Sequence, residues 1–476
     1  MSEQNLKLDP GAKYDSLPIT TQNVIIELIY GSDDPKTGYN IPAEKIVKCE
    51  INESFFTKLP KLKLILDDGG HFFNDVGFQI GNIFSIKITP RIFDDTKIIK
   101  PYIDAKYIIE SIEYTLDMDR ETYIYTINCM YGAEKYLNDI CVWPPDDYDI
   151  AHLDKQYTSA DVLSIILQKA GLKFALGELT KEPADNMAWL NSSLTYCEFA
   201  SKIIKHAWFS DDDMPLLYVD RDGCAHYVSL KQLCIDSPVI ANYMQNSYYQ
   251  KVYEEPDESN KRPQKPAGIK VYDQIAFRNI GYIQNQGAYG IKTTIFNPYN
   301  VKELNPFIFQ PTVFTNTNLV NATLNDSCVR QKEFHDNEKR LANISNKSAG
   351  QLENVRYIYS RLHFKQTHEY YDYAPQHHES IKRCFYQQFV FITLDTLNQP
   401  SYDTDSSQRV KLGTKININA SSVASNHTIQ SGNYLIVGIT HSFYANGGYT
   451  ILLSCVNDGI NGIGNFRKES KLNKQG

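Results

Sequence analysis

Short apolar runs separated by turn residues dominate the first third of the chain. They are residues 24–30, 61–66, 81–89, 106–115 and 122–130. The first is rich in β-branched and aromatic residues, the third alternates with a period of two, and Gly- and Asp-rich turns end the first two. Several short strands at this spacing predict a small β-barrel or β-sandwich.

A helical spacing replaces the β pattern after residue 147. Apolar residues recur at helical intervals over residues 160–170, with Ser159 as the expected N-cap and Gly171 as the stop. Thr195 and Glu198 have the spacing of a capping box, which predicts a second helix. Two helices followed by a hairpin at residues 216–228, which turns at Asp-Gly, predict a mixed domain here.

The last third of the chain returns to β patterns. Residues 254–267 form a charged, Pro-rich loop, and residues 315–350 form a polar stretch with weak periodicity. Pro375 is expected at the first position of a helix over 376–388. The strands predicted after it are residues 389–395, 413–419, 433–442 and 448–456.

Two segments of the chain resemble each other. Tyr107 to Tyr114 align with Tyr434 to His441, and Tyr123 to Cys129 align with Tyr449 to Cys455. The spacing is nearly preserved, because Cys129 lies 22 positions after Tyr107 and Cys455 lies 21 positions after Tyr434. Two upstream strands continue the match in the same order. Unrelated strands can look alike because strands favour the same few residue types, such as Ile, Val, Tyr and Thr. Four elements in one order nevertheless favour a duplicated β-barrel domain.

Composition and charge narrow the classes of function. The 476 residues are 42% hydrophobic and 22% charged, with a net charge of −8, which is ordinary for a globular protein and unlike a nucleic-acid binder with a basic face. No apolar run is long enough to predict a membrane span. The first seven residues have no signal-peptide pattern, so folding in a cytoplasm is expected. The nine cysteines include no C-x-x-C pair, and free buried thiols are expected.

Three clusters of metal-ligating or acidic residues could bind a metal ion, and each also has a structural explanation. Cys224, His226 and Cys234 form a candidate zinc set, but a closed site needs a fourth ligand, and an ordinary strand is favoured. Residues 211–213 lack the full calcium-loop pattern, so a solvated turn is favoured. His363, His368, His377 and His378 have no recognised ligand spacing. We therefore predict no metal site and no cofactor.

The motifs of common enzyme classes are absent from the sequence. It has no G-x-S-x-G, no Walker A loop, no H-E-x-x-H and no G-x-G-x-x-G after a strand. Asp67, Asp68 and His71 are the best acid–base candidates, and they occupy a turn where Asp and Gly are wanted for backbone reasons. We expect no catalytic residues and no enzymatic activity.

The predicted fold class is α+β, mainly β. It has two homologous small β-barrels, the second of which is discontinuous, with helical and mixed domains between them. The expected divisions are a first barrel (1–145), a helix and hairpin domain (146–240), the first part of the second barrel (241–300), an inserted loop or helical region (301–380), the rest of the second barrel (381–458) and a flexible tail (459–476).

Over about residues 20–458 this order of elements resembles the central baseplate hub protein of contractile-tailed bacteriophages. The resemblance is carried by the helix at 160–171, by residues 195–209 leading into 218–223, and by the last strand pair at 432–437 and 448–452. The loop at 254–267 and the insertion at about 300–385 are larger than the core of that family needs.

The resemblance implies a homotrimer in the tail baseplate of a virion, assembled in the host cytoplasm. One face of pseudo-six-fold symmetry would meet the tail tube, and the other would carry the trimeric cell-puncturing spike. Other baseplate components would surround it, and its channel would pass the tape-measure protein and then the genome. Two other interpretations stay open: a tail-associated peptidoglycan hydrolase and a peripheral receptor-binding tail protein.

Overall fold

The runs of β-branched and aromatic residues form strands in the computed structural model of the chain. It describes residues 24–32, 37–69, 73, 76–90, 103–117, 122–144, 156–177, 182–210, 213–236, 239–244, 269–277, 291–296, 305–309, 354–359, 367–385, 388–394, 410–419, 432–444 and 449–457. The loops predicted at 254–267 and 315–350, and the tail at 459–476, lie outside these residues.

The chain divides into two compact units. The first unit comprises Met1–Glu50, Lys63–Cys129 and His441–Thr450. The second comprises Ile51–Leu62, Met130–Thr440 and Ile451–Gly476. Each unit therefore contains segments that are far apart in the sequence.

The first third of the chain contributes seven strands. They are β1 (Val24–Tyr30), β2 (Tyr39–Asn40), β3 (Ile46–Ser54), β4 (Lys61–Asp67), β5 (Ile83–Pro90), β6 (Ile103–Asp117) and β7 (Thr122–Tyr131). They pair in the order β3-β4-β7-β6-β5-β1-β2, and β1–β5 and β5–β6 are antiparallel. The five strands predicted here are confirmed. Alternate side chains of β4 are buried, namely Leu62, Leu64 and Leu66, as its period-two pattern requires.

The last third of the chain, together with two earlier strands, supplies six more strands. They are β11 (Val239–Met244), β12 (Ile269–Phe277), β16 (Gln388–Leu394), β17 (Lys415–Asn419), β18 (Gly432–Tyr444) and β19 (Tyr449–Asn457). They pair in the order β12-β16-β19-β18-β17-β11. The pairing of β18 with β3 joins them to the first seven in one 13-stranded sheet, and we call the two sets of strands the two large sheets. The second large sheet is therefore discontinuous in the chain.

The two large sheets have the same strand order. The two-residue strand β2 has no counterpart in the second set. If the other six strands of the first set and the six of the second are each ranked along the chain, both sets read second, third, sixth, fifth, fourth, first. Tyr107 in β6 and Tyr434 in β18 occupy matching positions in this order. The sheets differ at the pair formed by their first and fourth strands, because β1 and β5 are antiparallel whereas β11 and β17 are parallel. Closure of either sheet into a barrel, common descent by duplication and the domain boundaries stay predictions.

The middle of the chain forms a helical core against a small sheet. Its elements are α1 (Glu134–Asn138), α2 (Ser159–Lys169), β8 (Lys173–Leu176), α3 (Tyr196–His206), β9 (Pro215–Val219), β10 (Cys224–Ser229) and α4 (Leu230–Asp236). The strand order is β8-β10-β9, with β9 antiparallel and β8 parallel to β10. Apolar side chains of α2, α3 and β10 form one buried cluster, which includes Leu163, Ile166, Phe199 and Tyr227.

Capping and pairing differ from the prediction at three places. The N-cap of α2 is Thr158, not Ser159, because Asp161 lies three residues after Thr158 and completes a capping box with it. The helix expected over 376–388 is α5 (Ala374–Phe385). The first part of the second barrel is expected at 241–300, but β13 (Ile291–Phe296) in this range pairs with β14 (Asn305–Phe309) and β15 (Asn354–Tyr359), in a separate sheet. Alternation marks a strand but does not specify its partner.

Among the described residues, no helix combines the length and the apolar character that a membrane crossing requires.

The buried cluster of the helical core supplies a stability test. Leu163 is 0% exposed, whereas Leu176 on β8 is 53% exposed. Leu163→Ala should lower the free energy of unfolding by about 2–5 kcal/mol, since it removes a buried side chain and leaves a cavity. Urea unfolding followed by tryptophan fluorescence measures this, because all three tryptophans, Trp143, Trp189 and Trp208, lie in the second unit. Leu176→Ala is the control, with an expected loss below about 1 kcal/mol; equal losses would contradict the assigned core.

Candidate functional site

The turn of the β9–β10 hairpin is held by a buried ion pair. Arg221 in the turn donates its backbone N–H to Glu53 Oε2 at 3.0 Å, and its Nη1 lies 3.4 Å from Glu53 Oε1. The two side chains are 4% and 2% exposed. Gly223 supplies the left-handed backbone of the turn, with φ at +72°, where a Cβ would also strike the ring of Tyr131. The turn is thus fixed by charge and by sterics.

This turn brings together three different metal-ligating side chains. Asp220 follows β9, and Cys224 and His226 lie two residues apart on β10, so they share one face of the strand. Their ligand atoms all lie within 4.8 Å of one another. Asp220 Oδ1 accepts the N–H groups of Asp222 and Cys224, while Oδ2 lies 2.8 Å from His226 Nε2. The cluster is half-buried.

The electrostatics of the cluster reflect its carboxylate. Burial acts to raise the pKa of Asp220, but the hydrogen bonds from His226 and from two backbone N–H groups hold it below its ordinary value. Burial and the neighbouring Asp220 carboxylate raise the pKa of the Cys224 thiol, against the charge of Lys173. Without a bound cation the thiol therefore stays protonated near neutral pH.

The sequence identified only part of this cluster. Cys224 and His226 are brought together as their spacing predicts, but Cys234 is buried on α4 and does not belong to the group. The third member is Asp220, which the Asp-x-x-Gly-Cys-x-His run of the hairpin turn could have indicated.

The solvated turn expected at 211–213 is wrong for Asp213. This residue is 0% exposed, and its Oδ1 accepts the N–H groups of Met214 and Lys231. Residues 211 and 212 lie outside the described residues.

The acidic turn after β4 makes the contacts of a chain reversal. Asp67 Oδ1 accepts the N–H of Gly69 at 3.0 Å, and Asp68 Oδ1 accepts the N–H of Phe73 at 2.7 Å. Asp68 is buried. The pKa of Tyr125 is raised first by the burial of its own side chain and then by the charge of Asp68. His71 lies outside the described residues.

Histidine and aromatic rings join the segment before α5 to the end of α3. His206 stacks on Tyr371 with ring centroids 3.9 Å apart, and Trp208 stacks on Tyr370 at 4.4 Å. His206 Nδ1 lies 2.8 Å from the carbonyl of Tyr371. His368 Nε2 lies 2.9 Å from the carbonyl of His206, at the last turn of α3. We call these five residues the aromatic clamp.

The clamp favours neutral histidines. His368 Nδ1 accepts the N–H of Tyr370, which places its single proton on Nε2, where it is donated to His206. Burial lowers the pKa of His368 to about 4 from 6.5. Burial also lowers the pKa of His206 and of the neighbouring His378. His377 contacts Trp208 nearby, whereas His363 lies outside the described residues. The predicted histidine-rich stretch thus forms a packing element.

A groove of about 350 Å³ lies beside the clamp in the second unit. The edge strand β9 and the loop after β3 line it, with Phe56 51% exposed at its mouth. Lys382 Nζ lies 5.6 Å from the centroid of the Phe56 ring, and Lys58 and Lys205 stand on the same rim. An exposed aromatic ring surrounded by lysines suits a binding partner that offers an apolar side chain next to a carboxylate.

These features define a mainly β protein of the α+β class. No protein-family model matches the sequence, and no curated protein matches it. Solved structures do match. The 43 kDa tail protein of prophage MuSo2 from Shewanella oneidensis superposes with a TM-score of 0.50 at 12% identity, covering 91% of this chain and 98% of that one. The chain therefore has the fold of a phage tail protein, as the resemblance implied.

Two further structures are similar at lower scores. The tail protein from Neisseria meningitidis MC58 gives a TM-score of 0.47 at 10% identity, with 92% of this chain and 98% of that chain covered. A chain of the PdpA–VgrG complex of Francisella gives 0.40 at 10% identity, covering 92% of this chain and 58% of that one.

The buried ion pair behind the hairpin turn predicts a large effect of removing one charge. Glu53→Gln leaves Arg221 buried without its counter-charge, and the free energy of unfolding should fall by about 3–5 kcal/mol. Urea unfolding followed by circular dichroism measures the loss. Glu50→Gln is the control, because Glu50 pairs with Lys48 at 2.6 Å with both side chains about a quarter exposed. Its expected cost is below about 1 kcal/mol. A cost of that size for Glu53→Gln would show that the buried pair does not hold the turn.

The aromatic clamp predicts acid sensitivity of the second unit. A histidine with a folded pKa below 6.5 binds fewer protons when folded, so its contribution is complete above pH 6.5 and is lost as the pH falls towards 4. The loss for His368 should be on the order of 3 kcal/mol. Urea unfolding by tryptophan fluorescence across this range should show the drop in wild type and a smaller drop in His368→Gln. An equal drop in both proteins would assign the acid sensitivity to other groups.

Proposed function

We propose that the chain is a structural hub protein of a phage tail or a related injection machine. Three copies would form a ring that joins the six-fold tail tube to a trimeric cell-puncturing spike. Its central channel would pass the tape-measure protein and then the genome. In this proposal the protein acts by assembly and carries out no chemical reaction.

The observation that carries the proposal is the repeated strand order. Two sheets of one topology in a chain give three chains six similar sheets, which is the geometry needed between a six-fold and a three-fold partner. The fold shared with the Shewanella prophage protein, which is named as a tail protein, supports the proposal that this chain belongs to a tail.

Exposed apolar side chains on the first unit support assembly. Tyr114 is 70% exposed and Leu116 43% exposed at the end of β6, and Tyr114 contacts Tyr123 on β7. Large apolar side chains left in solvent at one place are typical of a surface that another protein covers. Permanent interfaces bury more than about 2,000 Å² and are more apolar than ordinary surface.

The oligomeric state tests the proposal. Light scattering of the purified chain, alone and with the trimeric spike of the same tail, should give three copies of the 54.5 kDa chain. Electron microscopy of that species should show a three-fold ring with six similar lobes. Tyr114→Ser combined with Leu116→Ser should reduce the trimer fraction, because it removes the exposed apolar surface, and Leu176→Ser on the second unit is the control.

A chain that stays monomeric in both conditions, or that closes into a hexamer, would contradict the hub. Degradation of purified cell wall by the chain would instead support the hydrolase interpretation. Binding to the host surface by isolated chain, without assembly, would support the receptor-binding one.

A further inference from the structure

The geometry points to a binding site for one divalent transition-metal ion, of the zinc class, formed by Asp220, Cys224 and His226. The inference does not depend on the hub function. It rests on three chemically different ligands that the hairpin turn places within 4.8 Å of one another on a half-buried surface.

The donor set selects the kind of ion. A thiolate sulfur, an imidazole nitrogen and a carboxylate oxygen suit zinc, cobalt and similar ions, whereas magnesium and calcium prefer oxygen ligands alone. Three protein ligands leave one of the four tetrahedral positions to water, as in zinc sites of the open type. The fourth ligand that a closed site requires is therefore not needed here.

The ligands are already oriented by their surroundings. Asp220 Oδ1 is occupied by two backbone N–H groups, so Oδ2 is the oxygen directed at the other ligands. The ring of Tyr218 stacks on His226 with centroids 4.9 Å apart and an interplanar angle of 17°. Such supporting contacts restrict the ligand side chains before an ion arrives and tune its affinity.

Binding requires only small movements and a balanced exchange of protons. Metal–ligand bonds of about 2.0–2.3 Å place tetrahedral ligand atoms about 3–4 Å apart. The ion replaces the hydrogen bond between Asp220 Oδ2 and His226 Nε2. The Nε2 proton exchanges with solvent, and the neutral ring that binds the ion through Nε2 carries its single proton on Nδ1. The Cys224 thiol releases its proton to solvent as the sulfur–metal bond forms. Lys173, opposite Cys224 on β8, is exposed and can keep its amine in water.

Cys224 is distinct from the other described cysteines. Six of the seven, namely Cys49, Cys129, Cys141, Cys197, Cys234 and Cys455, are buried, while Cys224 is partly exposed. Among these seven thiols it is therefore the one that an ion can reach from solvent. Its absorption signature with cobalt can be assigned by substitution.

Titration of the full chain with Co²⁺ under reducing conditions tests the site. One ion should bind per chain, with a sulfur-to-cobalt charge-transfer band that Zn²⁺ abolishes by displacement. Cys224→Ser should remove the band. His226→Asn should weaken binding by about tenfold or more, in line with the cost of disturbing metal sites. Zn²⁺ should raise the thermal midpoint of wild type but not of Cys224→Ser.

Asp222→Asn is the matched control, since Asp222 is an exposed carboxylate of the same turn outside the ligand set. It should keep the cobalt band and the affinity of wild type. Urea unfolding of each metal-free variant checks that it is folded. The site would be overturned by failure of wild type to bind cobalt one to one, or by a band that persists in Cys224→Ser.

Discussion

The buried pair of Glu53 and Arg221 is the constraint on which the second unit most depends. Each charged side chain is tolerated away from water only because the opposite charge lies beside it. Glu53 lies on β3, early in the chain, and Arg221 lies in the hairpin turn 168 residues later. One interaction therefore ties a strand from the start of the sequence to the turn that presents Asp220, Cys224 and His226.

The histidines of this protein behave in two different ways because their surroundings differ. His368 and His378 are enclosed by rings and by other histidines, and burial holds their pKa values low. His226 instead faces a carboxylate on a half-buried hairpin. The same residue type thus serves as a packing ring in the aromatic clamp and as a metal-ligand candidate at the turn, and it is the local environment that separates the two roles.

The repeated strand order is built from the chain in two different ways. The first large sheet comes from one continuous part of the chain, whereas in the second a long excursion separates β11 and β12 from β16. The excursion contributes its own small sheet, β14-β13-β15, instead of completing the second large one. The chain therefore carries an additional small sheet between β12 and β16, which pair with each other in the second large sheet.

The sequence by itself determined most strands of the first and last thirds, the helices α2, α3 and α5, the cap of α3 and the alignment of the two similar segments. These are local properties, set by apolar spacing, by the Thr195–Glu198 box and by the Asp-Gly turn. Tertiary structure alone decided partners. It assigned β13 to a separate sheet, buried Asp213 and placed Cys234 away from Cys224 and His226. The physical reason is that pairing and burial are set by contacts between residues far apart in the chain, about which periodicity carries no information.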